Sequence, residues 1–312
     1  MAVPFTRIVT ARFAVEIPSL VRSPRRYWTR LSPWARVWSA AARQVAPAAQ
    51  LGDDVPILTS LRTGAVDLSA NSQGAISSAV PEYAAFGLPF LFPNLQAAWK
   101  VLDGPVGAEL AKHTEAKGMV VLGYWDNGIR HVSNKVRPIN SPADLKGLKV
   151  RTPPDPVTID IMQALGADAQ QIKFSELYVA LQQGVVDGQE NPLVVISNFK
   201  MFEVQKYCSV TNHMWDGFWF LANAKNWNSL PKEVQTVIQK HFNDYAIKER
   251  EDIANLNATL QKELVEKGLQ VVDANPASFR TKLGSAGFYK EWKEKYGAEP
   301  WALLEKYAGS IS

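Results

Sequence analysis

Residues 231–267 contain neither glycine nor proline after the opening Pro231. Within them Val234, Ile238, Phe242, Tyr245, Ile253, Leu256, Leu260 and Leu264 recur at helical spacing. At ~1.5 Å rise per residue this predicts one helix about 50 Å long, from about Pro231 to about Lys267. Such a helix exceeds the size of one small lobe. It must either run along two lobes or pair with a second copy as a coiled coil. The apolar positions do not keep a strict heptad, which favours the spanning helix. A chain of 312 residues has room for two lobes at ~100–200 residues each.

Ahead of that helix, short helical and strand patterns alternate. Gln50–Asp54 reads as a turn, and Val55–Arg62 as a helix ended by Gly64. Ala65–Ala70 predicts a strand, with Asn71–Gly74 as a polar loop at its carboxyl end. In open α/β sheets ligands bind beyond such strand ends. Phe86–Phe92 is apolar, broken by Pro89, and reads as a packed loop or short strand. Gln96–Lys117 predicts one helix, Met119–Trp125 a buried strand, and Asp126–Val132 a turn into another strand. Ser141–Leu145 is a capped turn with Pro142 at its first helical position. Leu148–Arg151 is a strand stopped by Pro153 and Pro154, followed by a helix over Thr158–Leu165. A further helix runs over Ser175–Gln183, with Ser175 as cap and Gly184 as stop. The unit helix–Gly–(Ala/Val)–Val–Asp occurs at Arg62–Asp67 and again at Gln182–Asp187, a hint of two similarly built lobes.

Residues 1–46 differ in kind. They hold eight arginines, no lysine and no aspartate, with Glu16 their one acid. Three readings compete: a signal peptide, an arginine-rich transit peptide, or a mistranslated stretch. Arg7 and Arg12 interrupt the apolar run that an intact signal peptide needs. We favour the out-of-frame reading, and expect no well-packed first strand and helix from these residues.

Several chemistries lack their residues. The formal charge is +4, and no later stretch gathers Lys and Arg along one face as nucleic-acid binding requires. Cys208 stands alone, so no disulfide within the chain and no cysteine-based zinc site can form. It reads as a packed apolar residue. The four histidines have no metal-ligand spacing, and no glycine-rich nucleotide loop, HExxH or GxSxG occurs. Neither a cofactor nor a metal nor ATP is expected. Asp53–Asp54 and Glu249/Glu251 read as solvated carboxylates. What remains are polar groups at strand ends: Arg151 before the double proline, Arg130 after Asn127–Gly128, and Asn191 in Asp187–Pro192. A guanidinium on a rigid strand suits a carboxylate, which it meets with two parallel hydrogen bonds. Any one such arginine is more often an ordinary ion pair.

Longer motifs decide between these. Gly128-Ile129-Arg130, Arg137-Pro138-Ile139, Asp144-Leu145-Lys146-Gly147-Leu148-Lys149-Val150-Arg151, Phe174 to Gln182 and Gly184 to Pro192 resemble, in order and spacing, the DctP family. These are substrate-binding subunits of TRAP (tripartite ATP-independent periplasmic) transporters. Gln50-Leu51-Gly52, Gly64 to Asp67, Leu88 to Phe92 and the long helix match as well, so the resemblance runs from about Gln50 to the C-terminus. It departs at Gln170-Gln171, where a proline is usual, and over residues 1–46, where the family has a signal peptide and first strand.

The resemblance implies an α/β, two-lobed class II periplasmic-binding-protein fold with a helix spanning both lobes. One lobe would be residues 1–123 with 212–252, the other 124–211 with 253–312. It implies a periplasmic protein that closes on a small carboxylate and hands it to small and large TRAP membrane subunits. Arg151 would salt-bridge the ligand carboxylate, Arg130 would assist, and Asn191 would hydrogen-bond the ligand. Asn71, Ser72 and Phe90 would line the other lobe, and Trp215 and Phe218 would wall the pocket or simply pack. Neutral Asn191 and the Trp215 wall lean toward a hydroxylated monocarboxylate such as a sugar acid. Two rival readings share the fold: a lyase-like enzyme using Glu190 or Asp187, and a ligand-sensing subunit.

Overall fold

The computed structural model describes residues 49–311, so the expectation for residues 1–46 lies outside the described residues. The chain divides into two compact units, Met1–Asp53 and Asp54–Ser312. Of the first, the described residues form a turn closed by Gly52 N–H donating to Ala49 O at 3.0 Å.

The second unit opens with α1 (Asp54–Thr63), β1 (Leu68–Ser72), α2 (Gln73–Ser77) and a 3-10 segment over Pro81–Gly87. Next come α3 (Leu95–Leu102), α4 (Pro105–Ala116) and the long strand β2 (Met119–Asn134). Then follow β3 (Lys149–Thr152), α5 (Pro156–Ala164), β4 (Asp168–Gln171), α6 (Phe174–Gln183), β5 (Gly188–Pro192) and α7 (Leu193–Asn198). A second long strand, β6 (Tyr207–Asn223), leads to α8 (Ala224–Asn228) and α9 (Lys232–Glu266). The end of the chain holds β7 (Gln270–Asp273), α10 (Pro276–Ser285), α11 (Phe288–Tyr296) and α12 (Ala298–Ala308).

All seven described strands join one mixed sheet in the order β1-β6-β2-β5-β3-β4, with β7 also on β6. The spine is the antiparallel pair β2–β6. β1 pairs with one end of β6, through Leu68–Ser72 against Phe218–Ala222. β5 pairs with the opposite end of β2, at Arg130–Asn134, and β7 with the start of β6, at Tyr207–Val210. The two long strands thus carry the chain between two lobes. Both run without interruption through the expected boundaries at 123/124 and 211/212.

Four expectations about local structure are corrected. The segment read as strand, turn and strand over 119–132 is one strand, because β6 pairs with both halves of it. Its irregularity is three register shifts, at Val121/Gly123, Asp126/Gly128 and Arg130/Val132, and such bulges bend a strand and add twist. Gln96–Lys117 is two helices. Pro105 has no N–H to continue the ladder, and it starts α4 behind an extended Gly104. The first strand is displaced to Leu68–Ser72, since Ala65 and Val66 are used in the turn that caps α1, both N–H groups donating to Ser60 O. α6 begins at Phe174 behind Lys173, which places Ser175 inside the first turn.

The duplicated cap is present in both copies. Gly64 and Gly184 are left-handed, at φ +81° and +74°. Ala65 N–H donates to Ser60 O as Val185 N–H does to Ala180 O. Each cap is followed by a five-residue strand, and Asn71 and Asn191 occupy the same place in it.

α9 is a single helix of 35 residues, about 52 Å long. Near its start Gln235 donates to the carbonyls of Trp227 and Leu230, and Gln239 to that of Leu122. Midway, Arg250 binds Asp103 and the Tyr124 carbonyl. Just past its end Lys267 donates to Ser197 and lies over the Phe202 ring. The helix therefore runs from the Leu122 end of β2 to α7 and the segment that leads into β6. Cys208 is buried in β6, and burial pushes its thiol up to about 12, in keeping with a packed side chain. Among the described residues no helix is long and apolar enough to cross a membrane.

Candidate functional site

The sheet order β2-β5-β3 brings together residues far apart in sequence. Arg151, on β3, is in register with Gln189 on β5, and Asn191 on β5 with His131 on β2. Polar side chains bridge the strands. Gln189 Oε1 accepts from Asn191 Nδ2 at 2.5 Å, and Asn191 Oδ1 accepts from Arg130 at 3.2 Å. Arg151, Arg130 and Asn191 are thus gathered in one region, all buried.

Arg151 is only 2% exposed. Its Nε donates to the Ile172 carbonyl at 2.8 Å, and its guanidinium carbon lies 5.9 Å from the Phe174 ring centroid. These contacts orient the side chain from the end of a rigid strand. Thr152 ends the strand, and the turn that follows carries Asp155. Asp155 caps α5, its Oδ2 accepting from Thr158 N–H at 3.0 Å. The same side chain meets Gly74 at the start of α2, where an added Cβ would stand 2.6 Å from the Asp155 Cβ. That contact joins the end of β1 to the end of β3, and it requires glycine at position 74.

Arg130 is engaged throughout. Its Nε and one terminal nitrogen donate to the two Glu190 carboxylate oxygens at 2.5 and 2.7 Å. The other terminal nitrogen donates to Asp216 Oδ2 at 2.5 Å. Asn127 Nδ2 donates to the same Asp216 oxygen at 2.7 Å. His213 Nε2 lies 3.3 Å from Glu190 Oε2, with its Nδ1 on Thr211. Burial alone would raise the Glu190 carboxyl, but the Arg130 charge and the His213 contact outweigh it and hold the group at about 2. His131 is pushed down to about 3 by burial, His213 and Arg130. It is a neutral imidazole that accepts from Asn212 N–H.

The remaining expected residues lie on other elements. Asn71 and Ser72 are tied to α1: Asn71 donates to the Asp54 carbonyl and Ser72 Oγ to Asp54 Oδ2 at 2.6 Å. Asp54, read as a solvated carboxylate, is half-buried by this bond. Phe90 adopts a left-handed conformation, φ 57°, and its N–H donates to the His213 carbonyl at 3.0 Å. Trp215 is buried edge-on to Phe92 and donates its indole N–H to Asp126 Oδ1 at 2.7 Å. Phe218, half-buried, is in register with Ser72 and with Trp125.

Sequence reasoning missed Asp216 and the Asp126–Glu249 pair, and weighed Glu190 only as an acid or base. Glu249, expected in solvent, is 8% exposed, because α9 presses it onto the β2 bulge, where its Oε2 accepts from Asp126 N–H at 2.9 Å. Burial, the main cause in each case, pushes Asp126 to about 7 and Glu249 to about 8. The available signal was an acid inside an otherwise apolar strand, as in Met214-Trp215-Asp216-Gly217-Phe218 and Tyr124-Trp125-Asp126. A strand buried on both faces carries such a residue only with a partner.

Comparison with known proteins agrees with the fold. The profile of bacterial extracellular solute-binding protein family 7, DctP, matches residues 41–294. The C4-dicarboxylate-binding periplasmic protein DctP of Rhodobacter capsulatus is 39% identical over 238 residues, 76% of this chain and 69% of that protein. An uncharacterised protein of Sinorhizobium fredii is 62% identical over 179 residues, 57% of this chain, and the match spans only 33% of that longer relative. Among solved structures, the sugar acid binding protein of Advenella mimigardefordensis in complex with galactonate superimposes with a TM-score of 0.82. It is 33% identical, over 89% of this chain and 92% of that one.

Proposed function

Because this chain belongs to the bacterial extracellular solute-binding proteins of family 7, we propose that it captures a small organic acid in the periplasm and delivers it to the small and large membrane subunits of a TRAP transporter. The observation that carries this reading is the position of Arg151. It is a buried, oriented guanidinium near the end of β3, in register with the buried amide of Gln189. A planar fork of this kind meets a carboxylate through two hydrogen bonds at once. The R. capsulatus relative is named for dicarboxylates and the Advenella protein holds galactonate, and both ligands carry the group that such a fork grips.

In this reading Asn191 hydrogen-bonds the acid. Arg130 is a positioning residue, since Glu190 and Asp216 already fill its donors. Asn71, Ser72, Phe90, Trp215 and Phe218 supply the facing wall. The lobes divide near 123/124 and 211/212, and bending at the β2 bulges with α9 as a brace opens and closes the cleft. A lyase on this site would need Glu190 or Asp187 to move a proton. Glu190 is held ionised by Arg130, and Asp187 is a turn residue whose Oδ2 accepts from Lys149 N–H at 3.0 Å.

The test is calorimetric titration of the protein and of Arg151→Lys and Arg151→Ala with a panel of organic acids, each variant first shown to melt cooperatively. Removing one partner of a buried charged pair costs ~3–5 kcal/mol. That is a loss of about two to three and a half orders of magnitude in affinity. Lysine should rescue little, lacking the planar fork. If Arg151→Ala binds within a few-fold of the parent, the carboxylate is held elsewhere and the assignment fails.

A further inference from the structure

Phe90 is held in a left-handed backbone conformation, φ 57°, which a bulky side chain adopts only at a cost. Strain of this kind persists where the surroundings over-determine it. Bonds from two different elements do so here. Phe90 N–H donates to the His213 carbonyl of β6 at 3.0 Å. The carbonyl just before it, Pro89 O, accepts from the Tyr289 hydroxyl of α11 at 3.2 Å. Tyr289 is buried, and burial pushes its hydroxyl up to about 12, so it stays a donor.

α11 is itself fastened elsewhere. It packs on α5, the helix that follows the Arg151 strand, and Lys295 binds Asp160 of α5 at 3.1 Å. Tyr289 and Trp292 join one apolar cluster with Leu88 and Phe92 and with Val157 and Ile161 of α5. α12, which buries Trp301, packs on α3. On a division near 123/124 and 211/212, α5, α11 and α12 belong to one lobe, and Pro89, Phe90 and α3 to the other. The Tyr289–Pro89 bond and the packing of α12 on α3 are then links between lobes that neither the β2–β6 spine nor α9 supplies.

We propose that the C-terminal segment, α11 with α12, is a strap across the two lobes: anchored on α5, it pins the Phe90 loop through the Tyr289 hydroxyl and limits how far the lobes part. Tyr289 is then a positioning residue, acting through Pro89 on the left-handed Phe90. This rests on the two-lobe division, and not on Arg151 as the carboxylate anchor.

Tyr289→Phe removes the hydroxyl and keeps the ring. Tyr178→Phe is the matched control, since the Tyr178 hydroxyl binds Glu203 at the surface. Two measurements on the full chain, with no acid added, read the effect. The first is hydrogen exchange at the Phe90 and Leu91 amides, which donate to His213 O and Leu88 O. In Tyr289→Phe they should exchange about fivefold or more faster, while the amides of α9 keep their parent rates. The second is the distance between spin labels at Thr59→Cys and Gln182→Cys, exposed positions on α1 and α6, with the buried Cys208 left unlabelled. Thr59→Cys with Lys100→Cys gives a pair within one lobe. Tyr289→Phe should widen the interlobe distribution toward longer distances and leave the intralobe pair alone, and Tyr178→Phe should change neither readout. Phe90 and Leu91 rates within about twofold of the parent, or a rise shared equally by α9, overturn the strap. Faster exchange with an interlobe distribution that is broad and the same in both proteins overturns it too, and leaves lobe motion standing. Faster exchange with an interlobe distribution as narrow as the intralobe one in both proteins means that the lobes do not move, and removes the closure reading together with the strap.

Discussion

Replacing Glu249 with glutamine probes the carboxylate pair that joins α9 to the β2 bulge. Glu249 Oε2 accepts from Asp126 N–H, while Glu249 Oε1 and Asp126 Oδ2 are buried without a hydrogen-bond partner among the described residues. Burial is the chief cause that lifts Glu249 from 4.5 to about 8; the Asp126 N–H and the Arg250 charge oppose it only in part. The folded chain therefore holds a proton that the unfolded chain has released. Stability from this group is complete below pH 4.5 and is lost as pH rises toward about 8. Each tenfold gain in proton affinity on folding is worth ~1.4 kcal/mol, which sets an upper limit of about 5 kcal/mol. Solvent relaxation around a charged buried carboxylate reduces this, and an effect on the order of 2–3 kcal/mol is expected. Glutamine keeps the acceptor for Asp126 N–H and never ionises. Thermal unfolding of the parent and of Glu249→Gln at pH 5 and pH 8.5 reads the effect. The parent should lose ~5–10 °C more than the variant on going to the higher pH. Asp126, Asp155 and His131 also titrate away from their ordinary ranges, but they are present in both proteins, so the difference between the two isolates Glu249 and its coupling to Asp126. Equal pH dependence in parent and variant would refute the reasoning.

The Arg130 network makes a sharper prediction about stability than about binding. Arg130→Met strands Glu190 and Asp216 in the interior and should cost ~3–5 kcal/mol in urea unfolding, and adding Glu190→Gln and Asp216→Asn should recover much of it. A triple variant no more stable than the single one would mean that the loss came from packing. Gly107→Ala would place a Cβ 1.7 Å from the Leu102 carbonyl oxygen, against backbone that cannot yield, so a loss of about 1–3 kcal/mol is expected and an unchanged urea midpoint would contradict the geometry.

Local sequence already carried a good deal of this protein. Residues 231–267 have one way to satisfy thirty-odd backbone groups without a break, and they form one helix, Lys232–Glu266. Gly64 and Gly184 stop their helices because only glycine enters the left-handed region without strain. Pro142 starts its turn with the Ser141–Asp144 capping box around it. The strand end at Arg151 was legible because Pro153 and Pro154 cannot extend a strand. These are short-range consequences of φ, ψ and hydrogen-bond donors, and a window of ten residues contains them. What no window contains is which strands lie side by side. Asp126, Asp216 and Glu249 are separated by many residues, and their fates were set by the β2–β6 register and by where α9 crosses it. The same pairing turned an apparent turn at Asp126–Gly128 into a bulge, and set Arg130, a candidate ligand residue, at the centre of a buried ion trio. Burial and charge pairing are sums over neighbours. A sequence determines the residues that can ionise, whereas only the tertiary structure decides which of them lose water and against which partner.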